Sequence, residues 1–268
     1  MFITFDDKQI YVETHGEGEP LVLLNGIMML TMSWIPFIDV LSKNNKLILI
    51  DLLDQGQSSR MAEDYSVSLQ ADVLNNVLDA LSIEKAHIAG ISYGASTAMH
   101  FAIKYPQRVE KLVLFNCTAY TSPWLKDAGE AWKAARISPE IYYNTTIPVI
   151  YSIDFYNRKL DWINLRKQFL IANVFNNPDF LDAMDRLTDS HSMHDVRESL
   201  CKIQAKTLVV GSREDLLMPL SNQKFIADNI PDAELVAVEG CGHATMYEKP
   251  NCFTALITGF INNKAVTV

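Results

Sequence analysis

His87-Ile88-Ala89-Gly90-Ile91-Ser92-Tyr93-Gly94-Ala95-Ser96-Thr97-Ala98-Met99 joins a short apolar run to a stretch of small residues through a serine set between two glycines. The pattern predicts a strand, a sharp turn at Ser92 and a helix. Glycine at 90 and 94 removes the side chains that would clash in so tight a reversal, and the serine is held in strained backbone angles with its hydroxyl exposed above a sheet. Such a serine is placed to act as a nucleophile.

Short apolar runs bounded by turn residues recur on both sides of this turn, at Leu21–Leu24, Leu47–Ile50, His87–Ala89, Leu112–Phe115, Thr207–Val210 and Leu235–Val238. Continuous apolar character predicts strands buried on both faces, as in parallel sheets covered by helices. Helical spacing lies between them: Leu74, Val77, Leu78 and Leu81 follow i, i+3, i+4, i+7, and so do Ala95, Ala98, Met99 and Ala102. The second stripe is small, which lets its helix approach the sheet closely. Phe2–Phe5 and Ile10–Val12, joined by Asp6-Asp7-Lys8, predict an opening hairpin. The expectation is an α/β fold with a mixed, mostly parallel sheet of eight strands flanked by helices.

About 90 residues separate the runs ending at Phe115 and starting at Thr207, far more than one crossover helix requires. This stretch holds Trp124, Trp132 and Trp162 and many other aromatics, and it is broken at Pro123, Pro139, Pro148 and Pro178. It predicts a helical cap at 117–205, inserted into a core domain made of 1–116 and 206–268. Aromatic side chains there are expected mainly to form the cap's own core, with some facing a cavity.

The chain has 268 residues, 49% of them hydrophobic, and a formal charge of −9, without a cluster of Lys or Arg. That balance argues against a nucleic-acid partner, because phosphate binding needs clustered cations. No stretch reaches the roughly 20 apolar residues that span a bilayer, and no basic, then apolar, leader opens the chain, so a cytoplasmic location is expected. Cys117, Cys201, Cys241 and Cys252 are too irregularly spaced for a disulfide framework or a zinc site, and are expected to be buried, reduced thiols. The pairs Asp6-Asp7 and Glu63-Asp64 fall in expected turns and are read as solvated.

A serine hydroxyl is a poor nucleophile near neutral pH, and needs a base within hydrogen-bond reach and an acid to orient that base. His243, in Gly240-Cys241-Gly242-His243-Ala244 after the last strand, is the candidate base. Asp215, just past the preceding strand in Gly211-Ser212-Arg213-Glu214-Asp215, is the candidate acid, with Glu214 its near competitor. His15, in a glycine-rich turn, His87, opening a strand, His100, in the helix after Ser92, and His191 and His194, at the cap's end, are read as structural or solvated. Cys241 lacks the turn that an attacking residue needs.

The order Ser92, Asp215, His243, together with the turn at Ser92 and the insertion, resembles the α/β-hydrolase fold family, in its small esterase and lipase-like branch, along nearly the whole chain. Asn25-Gly26-Ile27 resembles the family's His-Gly-x oxyanion loop, and Asp51-Leu52-Leu53-Asp54-Gln55-Gly56-Gln57-Ser58 its Asp-x-x-Gly-x-Gly-x-Ser turn. The resemblance implies an oxyanion hole formed by the backbone N–H groups of Ile27 and Tyr93. Two positions depart from the pattern: Asn25 stands for the usual histidine, and Gln57 for the second glycine.

The resulting expectation is a serine hydrolase that needs no cofactor or metal and cleaves a carboxylic ester, or a related and largely apolar acyl substrate, through an acyl-Ser92 intermediate. Thioester, lactone or carbon–carbon bond hydrolysis by the same triad is the alternative within enzymes, and a slow, ligand-sensing receptor is the alternative outside them. Relatives that carry out dehalogenation or epoxide opening have Asp where this chain has Ser92, which disfavours those chemistries. Neither the oligomeric state nor the acyl chain length is encoded in a readable pattern.

Overall fold

A computed structural model describes residues 1–263. Eight strands, β1 (Phe2–Phe5), β2 (Lys8–His15), β3 (Glu19–Leu24), β4 (Asn45–Ile50), β5 (Ala86–Ile91), β6 (Val109–Phe115), β7 (Lys206–Ser212) and β8 (Ala233–Val238), form one sheet in the order β1-β2-β4-β3-β5-β6-β7-β8. The β1–β2 hairpin is antiparallel, β2 runs antiparallel to β4, and every later pairing is parallel. The mixed, mostly parallel sheet is therefore as expected, with β5 in its middle.

The helices are α1 (Ile38–Leu41), α2 (Val67–Ala80), α3 (Tyr93–Lys104), α4 (Pro123–Ala134), α5 (Pro139–Thr146), α6 (Ile153–Arg158), α7 (Leu160–Asn173), α8 (Pro178–Ser192), α9 (Leu220–Asn229), α10 (Thr245–Glu248) and α11 (Pro250–Ile261). Strand alternation divides the apolar runs between two cores. Val22, Leu24, Ile48 and Ile50 face Leu74, Val77, Ala98 and Met99 on one side, while Leu21, Leu23, Leu47 and Leu49 join Trp34, Phe253 and Ile257 on the other. The stripe Ala95, Ala98, Met99, Ala102 is buried throughout, as its small residues require.

Two local expectations are corrected. Leu235 and Glu234 in β8 are exposed, because β8 is an edge strand and a run of apolar letters does not reveal which strand has only one neighbour. His15 closes β2, paired with Leu47, and does not lie in a turn. Leu81, at the end of α2, is partly buried against the same core as Leu74, Val77 and Leu78, which completes the expected stripe.

Between β6 and β7 the chain forms α4 to α8 with short 3-10 turns. Side chains of Ser122, Ser138, Ser152 and Asn177 accept the free N–H groups at the starts of α4, α5, α6 and α8, and proline opens three of these helices. Tyr142, Tyr143 and Phe175 are buried together at the centre of the segment, with Tyr142 and Phe175 edge to face at 4.9 Å. Trp124 and Phe169 are exposed.

Candidate active site

Ser92 stands between β5 and α3 at φ 54° and ψ −118°. Such strain costs about 1–3 kcal/mol and persists only where the surroundings impose it. Here Ser92 N–H donates to the Phe115 carbonyl at 2.9 Å, and the Ser92 carbonyl accepts the N–H groups of Ala95 and Ser96 at 3.0 and 3.1 Å. Both flanking glycines are needed for close approach. A Cβ at position 94 would sit 2.4 Å from the Leu24 carbonyl oxygen, and one at position 90 would sit 2.5 Å from the Gly94 carbonyl oxygen. The turn is thus pressed against the end of β3, where the Asn25-Gly26-Ile27 loop begins.

That loop is held by a buried polar network. Asn25 Nδ2 donates to the Ile50 carbonyl at 2.9 Å and to Gln55 Oε1 at 3.1 Å, while Asn25 Oδ1 accepts the Trp34 indole N–H at 2.6 Å. Gln55 Nε2 returns a hydrogen bond to the Gly26 carbonyl at 3.0 Å. Asp51 accepts from the backbone N–H groups of Thr31 (2.7 Å) and Gln57 (2.9 Å). Burial pushes the Asp51 carboxyl upward, opposed by these donors. Gly56, at φ +43°, lies so close on Asp51 that a Cβ there would overlap the carboxylate. Asn25 therefore braces the loop from a position where the family commonly has histidine; in the turn, the departure expected at Gln57 is corrected, because Gly56 holds the second glycine position and Asp54, at φ 66°, stands at the first.

Asp215 and His243 meet at the opposite side. His243 Nδ1 lies 2.8 Å from Asp215 Oδ2. Asp215 Oδ1 accepts the N–H groups of Leu217 and Met218 at 2.9 and 2.8 Å, and Oδ2 also accepts Asn116 Nδ2 at 3.0 Å. Asn116 Oδ1 in turn accepts the Thr245 hydroxyl at 2.6 Å. Glu214, the competing carboxylate, is exposed and does not reach the histidine. The histidine loop is anchored by Glu248, whose Oε1 accepts the N–H groups of Gly242 (3.1 Å) and Ser152 (2.9 Å) and whose Oε2 accepts the Ser152 hydroxyl at 2.5 Å. Asn116, Thr245 and Glu248 were not singled out from the sequence; Asn116, at φ 46° directly after β6, sits at the strand end where site residues collect, and that position was the available signal.

Ser92, Ile27, Tyr93 and His243 line one cavity of about 280 Å³, closed on its other side by residues of the β6–β7 segment, including Trp132, Tyr151, Arg166 and His191. The sequence-derived acid is behind the histidine, outside that wall. Among the described residues, no group of three or more His, Cys, Asp or Glu is placed to hold a metal.

Three of the remaining histidines, His100, His191 and His194, link α3 to α8 and the turn after it, while His15 and His87 pair with Glu13 and Glu19. His191 Nε2 is 2.9 Å from Ser96 Oγ and its Nδ1 is 3.0 Å from Thr121 Oγ1, and His100 Nε2 is 3.0 Å from His194 Nδ1. The Tyr93 hydroxyl meets Ser190 Oγ at 2.8 Å. Burial lowers all three histidines, His100 and His194 to about 4 and His191 well below the ordinary histidine value. His100 and His194 lie outside the cavity lining, whereas His191 is part of it. Of the thiols, Cys117 and Cys241 are buried and Cys252 half-buried, but Cys201 is exposed, which corrects that expectation; all four are free.

The family profile for the alpha/beta hydrolase fold matches residues 19–173, and one for a TAP-like protein matches 186–267. The chain belongs to the α/β-hydrolase fold family. Its fold superposes with a TM-score of 0.98 on MGS-M2, an alpha/beta hydrolase enzyme from a Medee basin deep-sea metagenome library, with 43% identity over 100% of this chain and 99% of that one. It is 28% identical, over 95% of both chains, to the "Putative carbamate hydrolase RutD" of Azorhizobium caulinodans. It is 27% identical to the 2-hydroxy-6-oxo-6-phenylhexa-2,4-dienoate hydrolase of Burkholderia cepacia, over 98% of this α/β-hydrolase and 96% of the relative. The hydrolase character is common to all three. Among the described residues of this family member, no helix is long and apolar enough to cross a membrane.

Proposed function

We propose that this α/β-hydrolase is a serine hydrolase that cleaves a carboxylic ester or related acyl compound through an acyl-Ser92 intermediate. The observation that carries the reading is the His243–Asp215 hydrogen bond at 2.8 Å, with His243 and Ser92 on the wall of one cavity. With Nδ1–H held by Asp215, Nε2 is the nitrogen free to take the Ser92 proton. The same imidazole then delivers the proton to the leaving group and afterwards activates water, while Asp215 stabilises its charged form. The backbone N–H groups of Ile27 and Tyr93 serve as the oxyanion hole, an effect worth about 3–4 kcal/mol per donor in comparable sites. The division into a core of 1–116 and 206–268 and a cap of 117–205 fits this role, since the inserted helices supply the cavity's far wall and so set the substrate.

The names of the relatives support a second reading of the substrate, in which the bond broken is a carbamate or a carbon–carbon bond next to a carbonyl. Each presents a carbonyl carbon to the same nucleophile. A panel of p-nitrophenyl esters from acetate to octanoate, thioesters, a lactone, a carbamate and a vinylogous 1,5-diketone, each run with Ser92→Ala beside the parent, separates these readings. Turnover of an oxygen ester that Ser92→Ala abolishes supports the first. Turnover confined to the carbamate or diketone supports the second. Hydrolysis undiminished in Ser92→Ala contradicts both.

A further inference from the structure

Arg166, on α7, lines the same cavity as Ser92 and His243. Its guanidinium carbon lies 4.8 Å from the centroid of the Tyr247 ring and 5.6 Å from that of Trp162, and these rings, with Tyr151, form an aromatic corner: Trp162 is 5.9 Å from Tyr151 and 6.0 Å from Tyr247. Among the described residues, no carboxylate lies within ion-pair distance of this arginine, and its buried Nε has no hydrogen-bond partner. The ionisable groups that bear on it are the phenols of Tyr151 and Tyr247, and a phenol carries no charge near neutral pH.

Other arginines of this chain that are partly withdrawn from water are treated differently. Arg186 is paired with Asp54, Arg136 with Asp182 and Asp185, and Arg108 with Asp79. A guanidinium does not lose its proton in a protein, so withdrawing it from water without an anion is costly. Stacking on aromatic rings and contact with the Tyr247 and Tyr151 hydroxyls offset part of that cost and fix the plane of the fork, yet supply its N–H edge with no anion. An N–H edge of this kind, at the wall of a substrate cavity, suits a bidentate anion supplied from outside. One cation in an aromatic corner matches a planar monoanion; a phosphate dianion would call for more positive charge than this corner holds. Lys126, Glu130 and Asp189 bring both signs to the wall formed by α4 and α8, so no second cationic corner competes.

The geometry points to Arg166 as a carboxylate-binding residue, and so to a substrate that is an acyl compound carrying a free carboxylate at the end remote from the bond broken. This rests on the hydrolase reading for the position of the reacting carbonyl. It refines the expectation of a largely apolar substrate: the body is apolar and one end is anionic.

Binding tests the assignment apart from turnover. In Ser92→Ala protein, monomethyl and dimethyl esters of succinate, glutarate, adipate and suberate are titrated by calorimetry at pH 7.5. The expected result is that at least one half ester binds about 10- to 100-fold more tightly than its dimethyl ester, the range of a charge-assisted pair. That preference should vanish in Ser92→Ala/Arg166→Gln. Where the glutamine variant does not fold, Arg166→Lys keeps the cation without the planar fork, and a reduced preference supports the assignment while an unreduced one contradicts it. No preference for any half ester, or a preference that survives Arg166→Gln, overturns it. Turnover of the same esters by the parent protein, and its loss in Ser92→Ala, reads the hydrolase assignment separately, so either can fail alone.

Discussion

Arg186 on α8 grips Asp54 in the turn after β4, with Nη2 at 2.6 Å and Nε at 3.0 Å from the same carboxylate oxygen. The aspartate side chain is fully buried and its partner about a fifth exposed. This pair joins the inserted helices to the turn that braces the oxyanion loop. Removing the arginine leaves a buried carboxylate uncompensated, which costs more than the pair is worth. Arg186→Ala should therefore destabilise the fold by about 2–3 kcal/mol in urea titration. Adding Asp54→Asn, which removes the stranded charge and tolerates the positive φ at this position, should restore part of the loss. Additive losses would show that the two side chains are not coupled.

Asn25 has a sharper expectation, since it serves as donor and acceptor at once. Asn25→Ala strands the Trp34 indole N–H in the core and frees the Gly26 segment through the loss of a Gln55 contact. We expect a stability loss of about 2–4 kcal/mol, from one orphaned buried donor and the small cavity left behind. The turnover number should fall at least tenfold, because the oxyanion loop would no longer be fixed. Thermal melts and steady-state kinetics on one ester measure both. A stability loss with unchanged kcat would mean that the network does not position the loop.

Much of this site was legible in the sequence because its chemistry follows chain-local rules. Ser92 announces itself through Gly90 and Gly94, which a tight strand-to-helix reversal requires, and His243 and Asp215 lie just beyond apolar strand runs. The sheet was readable for the same reason, as Leu21–Leu24 and Leu47–Ile50 are apolar at every position. What could not be read is pairing across the chain. Nothing near Asn116 indicates that it will meet Asp215, 99 residues away, nor does anything near Glu248 indicate Ser152. The edge position of β8 was hidden likewise, because strand order is a property of the whole sheet.

The buried histidines set a pH dependence. His100 and His194 are lowered to about 4 by burial, and His191 is lowered well below its ordinary value, whereas an unfolded histidine titrates near 6.5. Between about pH 6.5 and pH 4 the unfolded chain therefore binds more protons than the folded one, so stability rises with pH and falls on acidification. Above about 6.5 these groups contribute no slope. Each can add up to about 1.4 kcal/mol per pH unit inside the window. Urea midpoints measured at half-unit steps should show a shallower slope for His100→Gln than for the parent; identical slopes would mean that His100 keeps its ordinary affinity for protons.

Thiol reactivity should follow burial. Cys201 is exposed, whereas burial pushes Cys241 up to about 11 and Cys117 higher. At pH 7.5 a maleimide should label Cys201 first and Cys252 more slowly, with Cys117 and Cys241 reacting only after unfolding. Peptide mass mapping over time checks the order. Cys241→Ser should keep most of the hydrolytic rate.

The nucleophile assignment is tested most directly by intact mass after treatment with a small fluorophosphonate, beside Ser92→Ala. One adduct per chain is expected, mapped to the Ser92 peptide and absent from the folded variant. An adduct that persists in Ser92→Ala, or none on protein whose fold is intact, would contradict it.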